Sequence, residues 1–68
     1  MRVVLNGEPR DLRDGATVAD AVDASGAPES RAGVAVAVDG EVVPRGRWDD
    51  QRLAEGQQVE VLQAVQGG

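Results

Sequence analysis

The chain opens with a two-residue rhythm. Over residues 1–6 the apolar side chains of Met1, Val3 and Leu5 fall on alternate positions, which places them on one side of an extended strand. Asn6-Gly7 follows, and it is the strongest short hairpin signal, because both central residues of a type I′ turn need positive φ. The returning segment, residues 8–13, is polar, carries Pro9 near its start and offers only Leu12 to a core. That is how the edge of a sheet reads. Asp14-Gly15 then turns the chain, and the period changes. Thr17 with Asp20 three residues on forms a capping box with a shortened acid, and Val18, Ala21 and Val22 share one helical face. Gly26 is placed to end the helix in the left-handed conformation.

Beyond a loop over residues 27–33 the two-residue rhythm returns. Residues 34–38 read Val-Ala-Val-Ala-Val and run into Asp39-Gly40, a second hairpin signal, from which Glu41-Val42-Val43 returns. Pro44 leaves that strand, residues 49–53 are expected to make a short helical turn, and Glu55-Gly56 leads into a final strand over residues 59–65. There Val59, Val61 and Val65 alternate with Glu60 and Ala64. The expected order is therefore strand, strand, helix, strand, strand, strand. One helix must cover one face of one sheet. The arrangement that buries most sets the Val-rich first and last strands side by side and parallel at the centre, with the polar second strand outside. This is an α+β mixed sheet of the β-grasp, or ubiquitin-like, kind, spanning residues 1–66 and followed by a flexible Gly67-Gly68 tail.

Composition narrows the chemistry. At 68 residues the chain is one domain with a small core, and with one Trp and no Phe or Tyr that core must be built from tightly packed Val and Ala. The absence of Cys and His removes thiol nucleophiles, imidazole bases and the usual zinc ligands together, so an enzyme with its own catalytic or metal residues is not expected. Asp20 and Asp23 lie opposite the apolar helix face, where carboxylates are solvated. A net charge of −5 disfavours nucleic acid and favours a partner with a basic face. No apolar run is long enough to cross a bilayer, the start runs straight into a strand, and no disulfide is possible, which together point to the cytosol.

Two features remain as candidates for function. Gly67 and Gly68 lack a Cβ, so the chain's carboxylate can be threaded through a passage too narrow for side chains. Strand parity supplies the other. With Val3, Leu5, Val59 and Val61 turned to the helix, Val4, Leu62 and Ala64 face the opposite way, side by side on a sheet face that no second helix covers. That apolar group, a few residues before the tail, is the candidate docking patch.

A β-grasp pattern ending in Gly-Gly resembles the ubiquitin-like sulfur carriers. Pro44-Arg45 followed by Trp48, just after the second hairpin, resembles the Pro-Arg-x-x-Trp pattern of the ThiS family, the sulfur carriers for the thiazole ring of thiamine. The likeness extends to Asn6, Thr17, the Leu53 to Gly56 turn, Val59-Glu60-Val61 and Gly67-Gly68. Asp39 stands where Asn is common in that family and Gln57 where Asp often follows the glycine. The resemblance implies that an E1-like enzyme adenylates the Gly68 carboxylate with ATP. Sulfur, from a donor such as a cysteine desulfurase system, then replaces AMP, and the thiocarboxylate serves thiazole synthase. The carrier itself binds no cofactor. Rival expectations are a molybdopterin synthase small-subunit-like carrier, a ubiquitin-like protein modifier and a plain interaction domain. Trp48 reads as a core plug. For Arg45 and Arg47 the sequence leaves partner contact and simple solubility both open.

Overall fold

A computed structural model describes residues 1–64. Its elements are β1 (Arg2–Leu5), β2 (Glu8–Asp11), α1 (Val18–Ala24), β3 (Val34–Val38), β4 (Glu41–Val43), a 3₁₀ turn (Arg45–Arg47) and β5 (Gln58–Gln63). Among the described residues the strands form one sheet in the order β2-β1-β5-β3-β4. β1 and β5 run parallel near its centre, and the remaining pairs are antiparallel. This is the mixed, one-helix β-grasp arrangement that the strand pattern implied.

Local chemistry explains most boundaries. Asn6 and Gly7 both adopt positive φ (51° and 83°), and Asp39 and Gly40 repeat the device (50° and 84°), so each hairpin turns in two residues. Every residue of β2 is exposed, as an edge strand should be. At the start of α1, Thr17 Oγ1 accepts from the Asp20 N–H while Asp20 Oδ2 accepts from the Thr17 N–H, completing the capping box. The core fills one side of the sheet: Val3, Leu5, Val34, Val36, Val59 and Val61 meet Val18, Ala21 and Val22 of α1, and all are buried.

Three expectations need correction. The helical turn expected over residues 49–53 lies earlier, at Arg45–Arg47, and gives way to an isolated bridge between Arg52 and Thr17. The reason is a demand from elsewhere in the fold. The first N–H groups of a helix have no partner within it, and here Val18 N–H donates to Gln51 O (2.9 Å) and Ala19 N–H to Trp48 O (3.0 Å). A helical turn over 49–53 would turn those carbonyls back into its own ladder. Secondly, the outer strand stops at Asp11 rather than reaching residue 13. Leu12 exchanges a last pair of hydrogen bonds with Met1, its N–H to Met1 O at 2.8 Å and the Met1 amino group to Leu12 O at 3.0 Å, and packs on the core, so the pairing with β1 ends one residue past the strand. Finally, β5 closes at Gln63 rather than running to residue 65. Val65 lies outside the described residues.

Candidate functional site

The tail residues Gly67 and Gly68 lie outside the described residues, and the site is built here from the strand that leads to them. β5 is flanked on both sides. Its Val59 O accepts from the Asn6 N–H, while on the other side the register with β3 runs from Val38↔Val59 to Val34↔Gln63. One residue further, the Ala64 N–H donates to Gly33 O at 2.8 Å. The chain is therefore held in the sheet up to Ala64, four residues before Gly68.

The uncovered sheet face has the predicted parity and a different layout. Leu62 is 63% exposed and Ala64 is exposed, as expected. Val4 is half-buried, and its neighbours are Pro9 on β2 and Gln58 on β5. The residue opposite Leu62 is Ala35 of β3. Val4 and Leu62 are thus not side by side, because β1 turns away at Asn6-Gly7 and never reaches the level of Leu62. The neighbours of Leu62 lie on the other flank: exposed Ala35, half-buried Ala37, and Val42 of β4, which is 73% exposed and sits opposite Ala37. The signal for this was in the sequence. Strict Val-Ala alternation in residues 34–38 turns the large side chains to the core and leaves alanines outside, a low floor from which Leu62 and Val42 project. Glu60, opposite Ala37, supplies a negative charge beside the patch.

The Pro44 to Trp48 segment separates its two arginines. Trp48 is buried, and its indole Nε1 donates to Val43 O at 3.0 Å. Arg45 lies over the indole, 4.6 Å from the ring centroid, and its Nη2 donates to Val34 O at 3.1 Å. It clamps the 3₁₀ turn to the start of β3. Arg47 is exposed, and its guanidinium meets neither an acid nor a hydrogen-bond acceptor among the described residues. The two helix carboxylates are structural: Asp20 caps and pairs with Arg13 at 2.9 Å, and Asp23 pairs with Arg31 at 3.1 Å. The N–H of Thr17, and after it the guanidinium of Arg13, hold the Asp20 carboxyl below the ordinary aspartate range. No helix among the described residues is long and apolar enough to cross a membrane.

A five-stranded β-grasp whose central last strand runs out towards a Gly-Gly end defines the ubiquitin-like class. Within it, the ThiS family model matches residues 3–68, and the chain belongs to the ThiS family. Two solved structures are similar over its whole length. One is a crystal structure of the thiamine biosynthesis protein (ThiS) from Geobacter metallireducens, at 27% identity and a TM-score of 0.79, with each chain covered completely. The other is a solution NMR structure of a thiamine biosynthesis protein from the same organism, at 28% identity and a TM-score of 0.78, covering 100% of this chain and 88% of that one. No curated protein sequence matches.

Proposed function

We propose that this chain is the sulfur carrier for thiazole formation in thiamine biosynthesis, with Gly68 as the residue that carries the sulfur. The observation behind the reading is that the ThiS family match runs through Gly67-Gly68, which follow in sequence a central strand held on both sides. A carboxylate is a poor electrophile because its charge is delocalised. Attack of the Gly68 carboxylate on the α-phosphorus of ATP, with departure of pyrophosphate, makes an acyl adenylate whose AMP is a good leaving group. Hydrosulfide displaces AMP directly to give the thiocarboxylate, or a donor persulfide displaces it to give an acyl disulfide whose S–S bond a second thiol then cleaves, leaving a disulfide on the donor side. Either way the thiocarboxylate presents a soft, anionic sulfur to the acceptor. The carrier contributes no acid, base or bound cofactor to these steps, and ATP is used by its E1-like partner. Gly67, with no Cβ, threads a passage too narrow for side chains, the thiazole synthase receives the sulfur, and a cysteine desulfurase system is a fitting donor. A cytosolic setting supplies the ATP that this cycle uses.

The same reading assigns the open sheet face to the activating enzyme, centred on Leu62 and Ala64 with Val42 beside them and Val4 at its margin. The test is incubation with ATP and the activating enzyme, then addition of a sulfide donor, with intact-mass measurement after each stage. Release of pyrophosphate and an adenylate on Gly68, then a mass increase equal to the exchange of oxygen for sulfur, is the expected result. A chain that remains a free carboxylate, or that appears joined to other proteins through amide bonds, overturns the reading.

A further inference from the structure

Asn6 does more than turn the first hairpin. In a parallel ladder, the rungs after Asn6 N–H to Val59 O would run from the Val61 N–H to the main-chain oxygen of residue 6, and from the N–H of residue 8 to Val61 O. Neither forms here, because positive φ at Asn6 and Gly7 swings the chain away and returns residue 8 along β2, opposite Leu5. The Asn6 side chain supplies both rungs instead. The Val61 N–H donates to Asn6 Oδ1 at 2.8 Å, and Asn6 Nδ2 donates to Val61 O at 3.2 Å. A planar carboxamide with an acceptor oxygen and a donor nitrogen is a copy of a peptide group, and among side chains of this length Asn alone offers the pair at neutral pH, where Asp is an acceptor only.

We infer that Asn6 is a positioning residue for the carrier's tail: its carboxamide stands in for the missing continuation of β1 and holds β5 in the plane of the sheet at Val61. This rests on the carrier reading. Beyond Val59 the β1 main chain offers β5 no further rung, whereas β3 holds its other side through Ala64. Without the bracket the last turn of the strand is gripped on one side only, seven residues before Gly68. It is then free to twist about the β3 ladder, and such a twist redirects everything that follows. The turn and the bracket are separable, because glycine satisfies positive φ but has no carboxamide.

Asn6→Gly is therefore the first test, read by amide hydrogen exchange on the whole chain and by steady-state adenylation with the activating enzyme. The expected result is a protection loss of roughly tenfold at the Val61 amide, unchanged protection at Val36 and Val59, and a kcat/KM lower by about tenfold to a hundredfold at temperatures where the variant is fully folded. Asn6→Asp is the second. As an anion the new carboxyl has no proton for Val61 O and faces that oxygen with like charge, which loosens its hold on the Val61 N–H as well. Once protonated it supplies both rungs, so Val61 protection, normalised to the unmodified chain, should recover as pH falls through the carboxylate range. A Val61 amide still protected in Asn6→Gly overturns the bracket, and so does Asn6→Asp protection that does not change with pH. Loss of protection with unchanged kcat/KM overturns the positioning role. Failure of the unmodified chain to be adenylated strikes at the carrier reading instead, and the exchange data then judge the bracket alone.

Discussion

Replacing Trp48 with Phe tests whether the corner beneath the 3₁₀ turn is a dry, load-carrying part of the core. Trp48 is 2% exposed, and its indole N–H is bonded to Val43 O. Val43 is also paired with Val36 across the hairpin, so its carbonyl is not stranded when the indole is removed. The loss is that of one ordinary hydrogen bond, about 0.5–1.5 kcal/mol. The smaller ring leaves a partial void, which adds on the order of 1 kcal/mol. Together these give about 2 kcal/mol. A domain of this size holds only about 3–10 kcal/mol in total, and each kcal/mol moves the midpoint by about 4–8 °C. Trp48→Phe should therefore remain folded and melt roughly 10 °C lower. Trp48→Ala, at about 3–5 kcal/mol, should leave little or no folded population. The assay is far-ultraviolet circular dichroism during heating and in urea, because the substitution removes the chain's single tryptophan fluorophore. A Trp48→Phe midpoint within 2 °C of the unmodified chain would refute the reasoning. It would mean that water already reaches Val43 O and that the indole packs loosely.

Most of what could be read from the sequence was local, the central parallel pairing of β1 with β5 being the exception, which followed from where the Val-rich strands had to be buried. Hairpin turns, the capping box, the edge character of β2 and the inward rows of valine each follow from a few neighbouring residues, and the structure keeps all of them. The segment from Pro44 to Leu53 was misplaced because its shape answers to another element: the carbonyls of Trp48 and Gln51 are needed by the first N–H groups of α1. The docking patch was half legible for a related reason. Parity is local, so Leu62 and Ala64 were placed on the correct face. Register is not local, and Val4 was set beside Leu62 although its neighbours are Pro9 and Gln58. Asn6 showed only its turn signal, which concealed the carboxamide's bonds to a residue 55 positions away. The two departures from the ThiS pattern, Asp39 and Gln57, were read as separate turn residues and prove to touch. Gln57 Nε2 donates to Asp39 Oδ2 at 3.3 Å, while the other Asp39 oxygen accepts from the Gln58 N–H at 2.9 Å. An amide donor thus meets a carboxylate acceptor across the two turns. The tail itself was legible only as two glycines.

Three further outcomes follow from named contacts. Asp20→Asn removes a carboxylate whose folded pKa is lowered, so its stabilisation, about 0.5–1 kcal/mol, should be full at neutral pH and fade as pH falls through the ordinary aspartate range and below it. Urea unfolding of both proteins from neutral to strongly acid pH checks this, and a difference that does not shrink in acid would assign the effect to something other than the charge. Gly67→Val should melt with the unmodified chain yet fail to be adenylated, because a β-branched side chain cannot enter a passage gauged for glycine; normal turnover would remove the narrow-passage argument. Leu62→Asp carries the argument about the open face. Leu62 is 63% exposed and opposite only an alanine, so losing it costs little packing. A second acid two residues from Glu60 on the same strand face adds repulsion, and the folding cost should stay near 0.5–1 kcal/mol. At the centre of an interface the same change places a charge where apolar surface was to be covered, which should weaken the grip of the activating enzyme by about 1 kcal/mol or more, a fivefold or greater rise in KM. Val4→Asp is the internal comparison: Val4 is half-buried and lies at the margin of the patch, so it should lose more stability and less binding than Leu62→Asp. The reverse order would move the enzyme's grip to the β1–β2 flank, and equal binding by both variants and the unmodified chain would place it on another face altogether.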